Sequence, residues 1–218
     1  MSDAPAQAVT ELDDAADARR PEPFAGPDHP MRRVTRQVAF EGGWSPERAA
    51  KVGALFDSMA ADWSADHVDE VKAAPLRDAL DRGGLDPRGR WLELGCGTGA
   101  GALVLHPTVA DLTAVDLSAE MLAHAPDVAP RVRADAAALP FATAAFDTVV
   151  MVNMLLFPGE VDRVLGAGGA VVWVNTLGDQ TPIHLPPHDV VAALPGPWSG
   201  VTARAGTGFW AVLRRRSP

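Results

Sequence analysis

The feature that most constrains the fold is a short apolar run ending in a glycine cluster, Trp91 to Gly101. The run up to Leu94 is typical of a buried parallel strand that enters a tight turn. The glycines of the turn have no Cβ, so the backbone can bend sharply and lie directly against a ligand. A helix is expected over Thr98–His106, and its unpaired N-terminal N–H groups suit a carboxylate or a phosphate. The pattern therefore predicts a site for a nucleotide-like cofactor.

Two classes of cofactor fit this turn. Gly95, Gly97 and Ala100 satisfy the G-x-G-x-x-G/A pattern of dinucleotide-binding proteins. Glu93, however, lies two residues before the first glycine, where its charge disfavours a pyrophosphate and suits a cationic group such as an amine or a sulfonium. The spacing alone leaves both cofactors open.

Composition narrows the class of protein. The 218 residues suit one domain and a tail, and 47% hydrophobic with 22% charged residues is typical of a globular chain. A formal net charge of −9 argues against nucleic acid, where a basic surface supplies much of the affinity. The single cysteine, Cys96, excludes an intrachain disulfide and a multi-cysteine zinc site, and no metal is expected. Without a membrane-length apolar run or a signal peptide, we expect a cytoplasmic protein with no membrane partner.

Three regions are expected along the chain. Residues 1–30 are rich in alanine, aspartate and proline and are predicted to be a disordered or flexible acidic tail. Residues 31–84 are predicted to be an N-terminal helical or lid segment. Residues 85–218 are predicted to be the ligand-binding core.

The N-terminal segment carries its own local signals. Met31 to Phe40 mixes arginines with apolar residues and is expected to be a strand or a lid. Ser45-Pro46-Glu47 predicts a helix start, with a capping serine, a proline in the first turn and an acid where the helix dipole favours it. A second helix is expected from about Asp66 to Arg82, interrupted by Pro75.

The core alternates predicted strands and helices, which indicates an α/β fold with a doubly wound, mostly parallel sheet. Two of its strands are closed by an acid: Leu112–Val115 by Asp116, and Arg131–Ala134 by Asp135. At the carboxyl end of the strand beside the glycine turn, the carboxylate of Asp116 can accept both ribose hydroxyls of a nucleotide. The remaining core is expected to comprise a strand over Phe146–Asn153, a helix over Gly159–Leu165, a turn at Gly166–Gly169, a strand over Ala170–Asn175, and an antiparallel pair over Val201–Ala205 and Phe209–Arg214.

Taken together, Glu93, the glycine turn, Asp116 and Asp135 resemble the class I S-adenosylmethionine (SAM) methyltransferases of the subfamily often called Methyltransf_11. The resemblance covers roughly residues 46–214. It implies a Rossmann-like doubly wound sheet with a C-terminal antiparallel hairpin, SAM as cofactor and S-adenosylhomocysteine as product. In the family, the acid at the place of Asp135 accepts from the adenine amino group. Because a second acid is not part of the dinucleotide fingerprint, it favours SAM over a nicotinamide cofactor.

The resemblance also implies the residues of the site. Leu55–Trp63 resembles the helix that precedes the core in ubiquinone-biosynthesis-type methyltransferases, where an aromatic residue borders the active site, so Trp63 is expected to line the substrate pocket. Phe157 stands where relatives often carry a polar residue, which indicates an apolar pocket. The cofactor-binding residues are expected to be Glu93, Gly95, Cys96, Gly97, Gly99, Asp116, Leu117, Asp135, Ala136 and Asn153.

The expected function is methyl transfer from SAM to a small-molecule acceptor by in-line displacement, for which the protein mainly aligns the reactants and excludes water. A general base is needed only if the acceptor loses a proton, and since the chain has no tyrosine, the candidates are Asp179 and His184. Two alternatives stay open: an NAD(P)-dependent oxidoreductase, and a SAM-binding protein without catalysis. The acceptor atom and the formation of a homodimer also stay open.

Overall fold

The computed structural model describes residues 8–63 and 69–216, which form one eight-stranded mixed sheet covered by helices. The strands are β1 (Val9–Glu11), β2 (Arg90–Leu94), β3 (Asp111–Asp116), β4 (Arg131–Arg133), β5 (Phe146–Val152), β6 (Leu165–Asn175), β7 (Trp198–Ala205) and β8 (Gly208–Arg215). The α-helices are α1 (Pro30–Glu41), α2 (Pro46–Met59), α3 (Glu70–Arg82), α4 (Ala100–Leu105), α5 (Ala119–His124), α6 (Pro158–Val164) and α7 (Pro187–Ala193).

The sheet has the strand order β1-β7-β8-β6-β5-β2-β3-β4. β8 is antiparallel to both of its neighbours, β6 and β7, and the other paired strands are parallel. The expected α/β fold, a mostly parallel doubly wound sheet with a C-terminal antiparallel hairpin, is therefore confirmed. The order reverses at β2, which pairs with β3 on one side and β5 on the other. Ligands of open α/β sheets bind outside the carboxyl ends of the strands at such a point.

The central strands are apolar on both faces because both faces are covered. In β2, Leu92 and Leu94 pack in a core that includes Val161 of α6, whereas Trp91 packs in a second core that includes Leu105 of α4. Successive side chains of a strand point to opposite faces, so a continuous apolar run is what a doubly covered strand requires. This burial fixes the carboxyl end of β2, and with it the start of the glycine turn.

The N-terminal region differs from the expected flexible tail. Val9–Glu11 forms β1, parallel to β7, and beyond it the Leu12 and Ala15 N–H groups donate to carbonyls of the β7 region at 2.8 Å each. The expectation is therefore wrong for this part of residues 1–30. The physical reason for this pairing is that β7, without β1, would be an edge strand with unpaired backbone groups. An extended segment can form hydrogen bonds to such groups whatever its side chains are. Residues 1–7 are outside the described part of the chain.

The segment expected to be a strand or a lid at Met31–Phe40 is helical and belongs to α1. Its buried residues, Thr35, Val38 and Ala39, are spaced as one face of a helix. The helix begins after His29, whose side chain accepts the Met31 N–H at 3.2 Å, with Pro30 in the first turn. The arginines of the segment are interspersed with these residues along the chain, so the helical spacing of the buried positions is hard to see in the sequence.

The next two helices follow the sequence prediction in part. α2 begins as predicted, with the Ser45 side chain accepting the Arg48 N–H at 3.2 Å. α3 runs from Glu70 through Pro75 without interruption, whereas the expected start at Asp66 lies outside the described residues. A Cβ at Gly208 would lie 2.8 Å from Pro75 Cγ. The proline therefore packs closely against the start of β8, and this packing offsets the hydrogen bond that it cannot donate.

The turn expected at Gly166–Gly169 is instead part of β6, which begins at Leu165. The pairing of β5 with β6 shifts register between Phe146 and Thr148, so the glycine segment is accommodated as an irregularity in the ladder. A Cβ at Gly169 would lie 3.0 Å from the backbone carbonyl oxygen of Asp147 in β5. The glycines therefore permit a close approach of strands and do not end one. Within the described residues, no helix is long and apolar enough to cross a membrane.

Candidate active site

A cavity of about 200 Å³ opens at the carboxyl ends of β2, β3 and β5, where the strand order reverses. The glycine turn after β2 forms its floor, and residues of α1, α2 and the connection between them form its opposite wall. The cavity contacts all the predicted cofactor-binding residues except Gly99, together with both predicted substrate-lining residues, Trp63 and Phe157. The structure therefore brings these separate sequence motifs to one place.

The glycine turn is built on left-handed backbone conformations. Gly95, Gly97 and Gly99 have φ angles of +70°, +54° and +86°, a region that disfavours residues with a Cβ. A Cβ on Gly99 would come within 2.7 Å of Pro126, whereas one on Gly97 would meet no atom within 4 Å. At position 97, glycine is therefore favoured by the left-handed backbone conformation and not by a lack of space. The space beside it on the cavity side is open.

Glu93 is a buried carboxyl group beside this turn, only 2% exposed. Its Oε2 has no hydrogen-bond partner among the described residues. A Cβ on Gly101, in the first turn of α4, would collide with the Glu93 carboxylate, so the glycine makes the room that this side chain occupies. Burial, and to a lesser degree the charge of Asp116, raises the pKa of Glu93 to about 8. The side chain is therefore suited to a cationic ligand that supplies the missing partner.

Asp116 ends β3 with both carboxylate oxygens already engaged by the backbone. Oδ2 accepts the Gly97 N–H at 2.8 Å, and Oδ1 accepts the Ser118 N–H at 2.9 Å. A carboxylate oxygen has two lone-pair positions, so each oxygen keeps one for a further donor. Burial is the main cause that raises the pKa of Asp116. The geometry offers two acceptors side by side, as the two hydroxyls of a ribose require.

Asp135, after β4, is held by an interaction that the sequence did not indicate. The Trp44 indole Nε1–H donates to Oδ1 at 3.0 Å and to Oδ2 at 2.9 Å, and the Ala137 N–H donates to Oδ1 at 2.9 Å. Trp44 also makes an edge contact with Phe157, with ring centroids 5.1 Å apart. Ala136 is buried beside it in the cavity wall.

Three further predicted residues line the cavity. Asn153 adopts φ +51°, and its side chain ties β5 to β6 by donating to Thr176 Oγ1 at 2.8 Å and accepting the Thr176 N–H at 2.9 Å. Leu117 follows Asp116 in the wall. Cys96 is buried, and burial raises the pKa of its thiol.

The rest of the wall is apolar. Phe157 is buried, whereas Trp63 is 58% exposed at the rim, where it packs edge-on to Phe56 at 6.3 Å. The wall also includes apolar residues that were not predicted to line a site, among them Met31, Val52, Phe56 and Ile183. Val52 and Phe56 are one helical turn apart, but that spacing is the same for residues that pack in a core.

The two candidate bases do not reach the cavity. The His184 ring makes a hydrogen bond between Nδ1 and the Gly178 carbonyl at 3.1 Å and an edge contact with Phe209 at 5.6 Å. Burial, and then the nearby Arg32 charge, lowers the pKa of His184. Asp179 is exposed, and its backbone carbonyl accepts from the Arg32 guanidinium. The loop after β6 turns its Ile183 side chain to the cavity and keeps His184 outside the wall, so the base assignment is not supported by the geometry.

A comparison with protein families matches residues 92–172 to a family described as "Methyltransferase domain". This segment contains the glycine turn, Asp116, Asp135 and β5, which together form most of the cavity. The predicted resemblance is confirmed over this segment of the chain, and SAM is the cofactor that the resemblance implies. A search among curated proteins finds no match.

Solved structures share the fold. A SAM-dependent methyltransferase from Aquifex aeolicus aligns with a TM-score of 0.57 and 16% identity over 72% of this chain and 97% of that one. A putative SAM-dependent methyltransferase from Methanococcus maripaludis aligns at 0.54 and 15%, over 79% and 94%. A protein from a study of disulfide-to-thioacetal conversion in echinomycin biosynthesis aligns at 0.57 and 20%, over 75% and 93%. The match spans only 47% of the Bacillus subtilis YcgJ protein and 59% of a putative Haloferax volcanii methyltransferase.

The residues present fit SAM. The orphaned Oε2 of Glu93 matches a cationic amino group, the paired acceptors of Asp116 match ribose hydroxyls, and Asp135 matches an exocyclic amine. Within the described part of the chain, no group of three or more histidine, cysteine, aspartate or glutamate side chains could hold a metal ion.

Proposed function

We propose that this chain transfers the methyl group of SAM to a small, largely apolar acceptor molecule. The observation that carries the proposal is the wall of the cavity. Among the described residues that form it, Glu93, Asp116 and Asp135 are the acidic side chains, and they lie on the side of the glycine turn and the strand ends. The opposite side consists of apolar side chains, and no lysine, arginine or histidine of the described part lines the cavity. A nucleic acid would need basic side chains there.

Each of the three acids would hold a different part of the cofactor. Glu93 would hold the amino group of the methionine part, Asp116 the two ribose hydroxyls, and Asp135 the adenine amino group. The open space at Gly97 lets the cofactor lie directly on the backbone. The support for this assignment is that each acid has the free acceptor positions that its partner needs.

SAM, when bound, would supply an electrophilic methyl group: an acceptor lone pair would form a bond to the methyl carbon while the C–S bond breaks and its electron pair stays on sulfur, which leaves S-adenosylhomocysteine. The chain contributes alignment and a dry surface. Phe157 and Met31 exclude water from the acceptor side, and Asn153 holds the end of β5 against β6 through Thr176. Because no described histidine lines the cavity, we propose that the acceptor is already ionised or neutral with a free lone pair, as a phenolate, carboxylate or thioether is.

The two alternatives are less well supported. A nicotinamide dinucleotide would place a pyrophosphate beside the Glu93 carboxyl group, and its binding motif assigns no role to Asp135. A SAM-binding protein without catalysis would not need the aromatic and aliphatic wall that α1 and α2 form opposite the glycine turn.

The proposal is tested with SAM carrying a radioactive methyl group and three sets of acceptors: small aromatic phenols, carboxylates and thioethers, total tRNA, and total protein. We expect label in the small-molecule fraction only. Label in tRNA or protein would contradict the assignment of the acceptor, and absence of transfer to every set, with SAM bound, would support the non-catalytic alternative.

We expect His184→Ala and Asp179→Ala to retain methyl-transfer turnover within about twofold, because neither side chain contacts the cavity. The measurement is kcat with the best acceptor from the screen, with Phe157→Ala as a variant of the wall that should lose activity. A loss of about a hundredfold or more in His184→Ala, at unchanged SAM affinity, would restore this histidine as a general base.

A further inference from the structure

Trp44 makes a contact with Asp135 that the methyltransferase motifs do not include. Trp44 lies in the short connection between α1 and α2, and its indole N–H reaches both oxygens of a carboxylate 91 residues further along the chain. The two distances, 3.0 and 2.9 Å, are typical of N–H···O hydrogen bonds. The edge contact with Phe157 fixes the plane of the indole ring.

The hydrogen bonds to Asp135 leave one acceptor position open. A carboxylate has about four lone-pair positions, two on each oxygen. Oδ1 receives both the Trp44 indole N–H and the Ala137 backbone N–H, whereas Oδ2 receives only the indole N–H. Among the described residues, therefore, one position on Oδ2 is left for a ligand in the cavity.

The segment that carries Trp44 is firmly attached to the core. Val38 of α1 is buried with Ala136, Leu155 and Phe157 in a cluster against which Trp44 also packs. On its other side, α1 is joined to α7 by an ion pair between Arg36 and Asp189, with 2.6 Å between nitrogen and oxygen. The indole therefore holds the carboxylate from a fixed support, as orientation of another side chain requires.

We propose that Trp44 is a positioning residue that sets the specificity of this site for an adenine base. By filling one position on each oxygen of Asp135, it turns the free position of Oδ2 toward a single N–H donor, the exocyclic amino group. A purine with a carbonyl oxygen at that place, such as hypoxanthine, presents lone pairs to the carboxylate and is rejected. The inference deepens the proposed function and rests on its cofactor site.

The test compares two ligands in Trp44→Phe, which keeps an aromatic ring but removes the N–H donor. The dissociation constants of S-adenosylhomocysteine and of its hypoxanthine analogue, S-inosylhomocysteine, are measured by calorimetry. We expect the wild-type chain to prefer the adenine ligand by about tenfold or more, and Trp44→Phe to reduce that preference to about threefold or less.

The matched control is Trp198→Phe, which removes an indole N–H that donates to the Pro195 carbonyl at 2.8 Å, away from the cavity. Its preference for the adenine ligand should equal that of the wild type. Trp44→His is a second variant, and since its ring keeps a donor, it should retain more of the preference than Trp44→Phe. Melting curves of each variant verify that it is folded.

An unchanged preference in Trp44→Phe would overturn the proposal in either of two cases: both ligands bind as they do to the wild type, or both are weakened equally, as a merely structural role predicts. A wild-type chain that binds neither ligand would overturn the cofactor site and this proposal together. The binding measurement uses no acceptor, so failure of the chain to methylate small molecules bears on the proposed function alone and is distinguishable from both results.

Discussion

Replacing Asp116 with alanine is expected to weaken the binding of S-adenosylhomocysteine by about a hundredfold or more. The carboxylate keeps one free acceptor position on each oxygen, and a hydrogen bond to a charged group contributes about 1.5–3 kcal/mol. The loss of two such bonds amounts to roughly 3–6 kcal/mol, and each 1.4 kcal/mol is a factor of ten in affinity. The variant also releases the Gly97 N–H, which loosens the turn under the cofactor. Calorimetric titration measures the effect.

The chain offers a matched control for this variant in Asp147. Asp147 is also a strand aspartate that accepts a backbone N–H, that of Arg90 at 2.8 Å, but it lies at the opposite end of the sheet from the cavity. Asp147→Ala should bind S-adenosylhomocysteine as the wild type does. Equal affinities of Asp116→Ala and the wild type would show that Asp116 contacts no part of the ligand.

Glu93→Gln is expected to change stability and ligand binding in opposite directions. The carboxyl group is buried without a partner for Oε2, and its pKa is raised from 4.5 to about 8, so folding opposes its ionisation. Glutamine is neutral and of the same shape. The unliganded variant should therefore be more stable than the wild type by roughly 3 kcal/mol at pH 7, while its affinity for S-adenosylhomocysteine should fall by about tenfold or more because the cationic amino group loses its counter-charge.

The stability difference has a defined dependence on pH. Below about pH 4.5 the carboxyl group is protonated in both the folded and the unfolded chain, so the variant and the wild type should unfold alike. Between pH 4.5 and about 8 the unfolded chain has released the proton and the folded chain retains it, so wild-type stability falls as the pH rises. Chemical unfolding of both proteins at several pH values measures the difference. A difference that does not change with pH would contradict the buried, unpaired state of Glu93.

The Glu93 carboxyl group also couples ligand binding to the release of a proton. A cationic amino group favours the ionised carboxylate, so binding to the wild type below about pH 8 should release a proton, and affinity should increase as the pH rises toward 8. Calorimetry in two buffers with different ionisation enthalpies detects the proton. Glu93→Gln should release none.

The sequence predicts well those parts of the fold that depend on neighbouring residues. The run from Trp91 to Leu94 is apolar because β2 is covered on both faces, and the glycines follow because the turn needs positive φ angles. Asp116 and Asp135 can be placed because each ends a strand of a parallel sheet, and the carboxyl ends of such strands meet at one edge.

The parts that the sequence did not predict depend on long-range contacts. Trp44 and Asp135 are 91 residues apart, and nothing near either residue in the chain indicates that they meet. β1 forms because the edge of β7 needs partners for its backbone, which three partly exposed residues do not reveal. In the loop after β6, the side chains of adjacent residues point in different directions: Ile183 lines the cavity and His184 does not, although residue chemistry alone favours the histidine as a functional residue.

The central claim is that the acids at the ends of β2, β3 and β4 hold SAM across this cavity, and a crystal structure of the chain with S-adenosylhomocysteine tests it most directly. The claim predicts the adenine amino group at Asp135 Oδ2 beside Trp44, the ribose hydroxyls on Asp116, and the amino group of the ligand at Glu93 Oε2. A ligand bound elsewhere, or one bound here with Glu93 still unpaired and Asp116 free of the ribose, would contradict the claim.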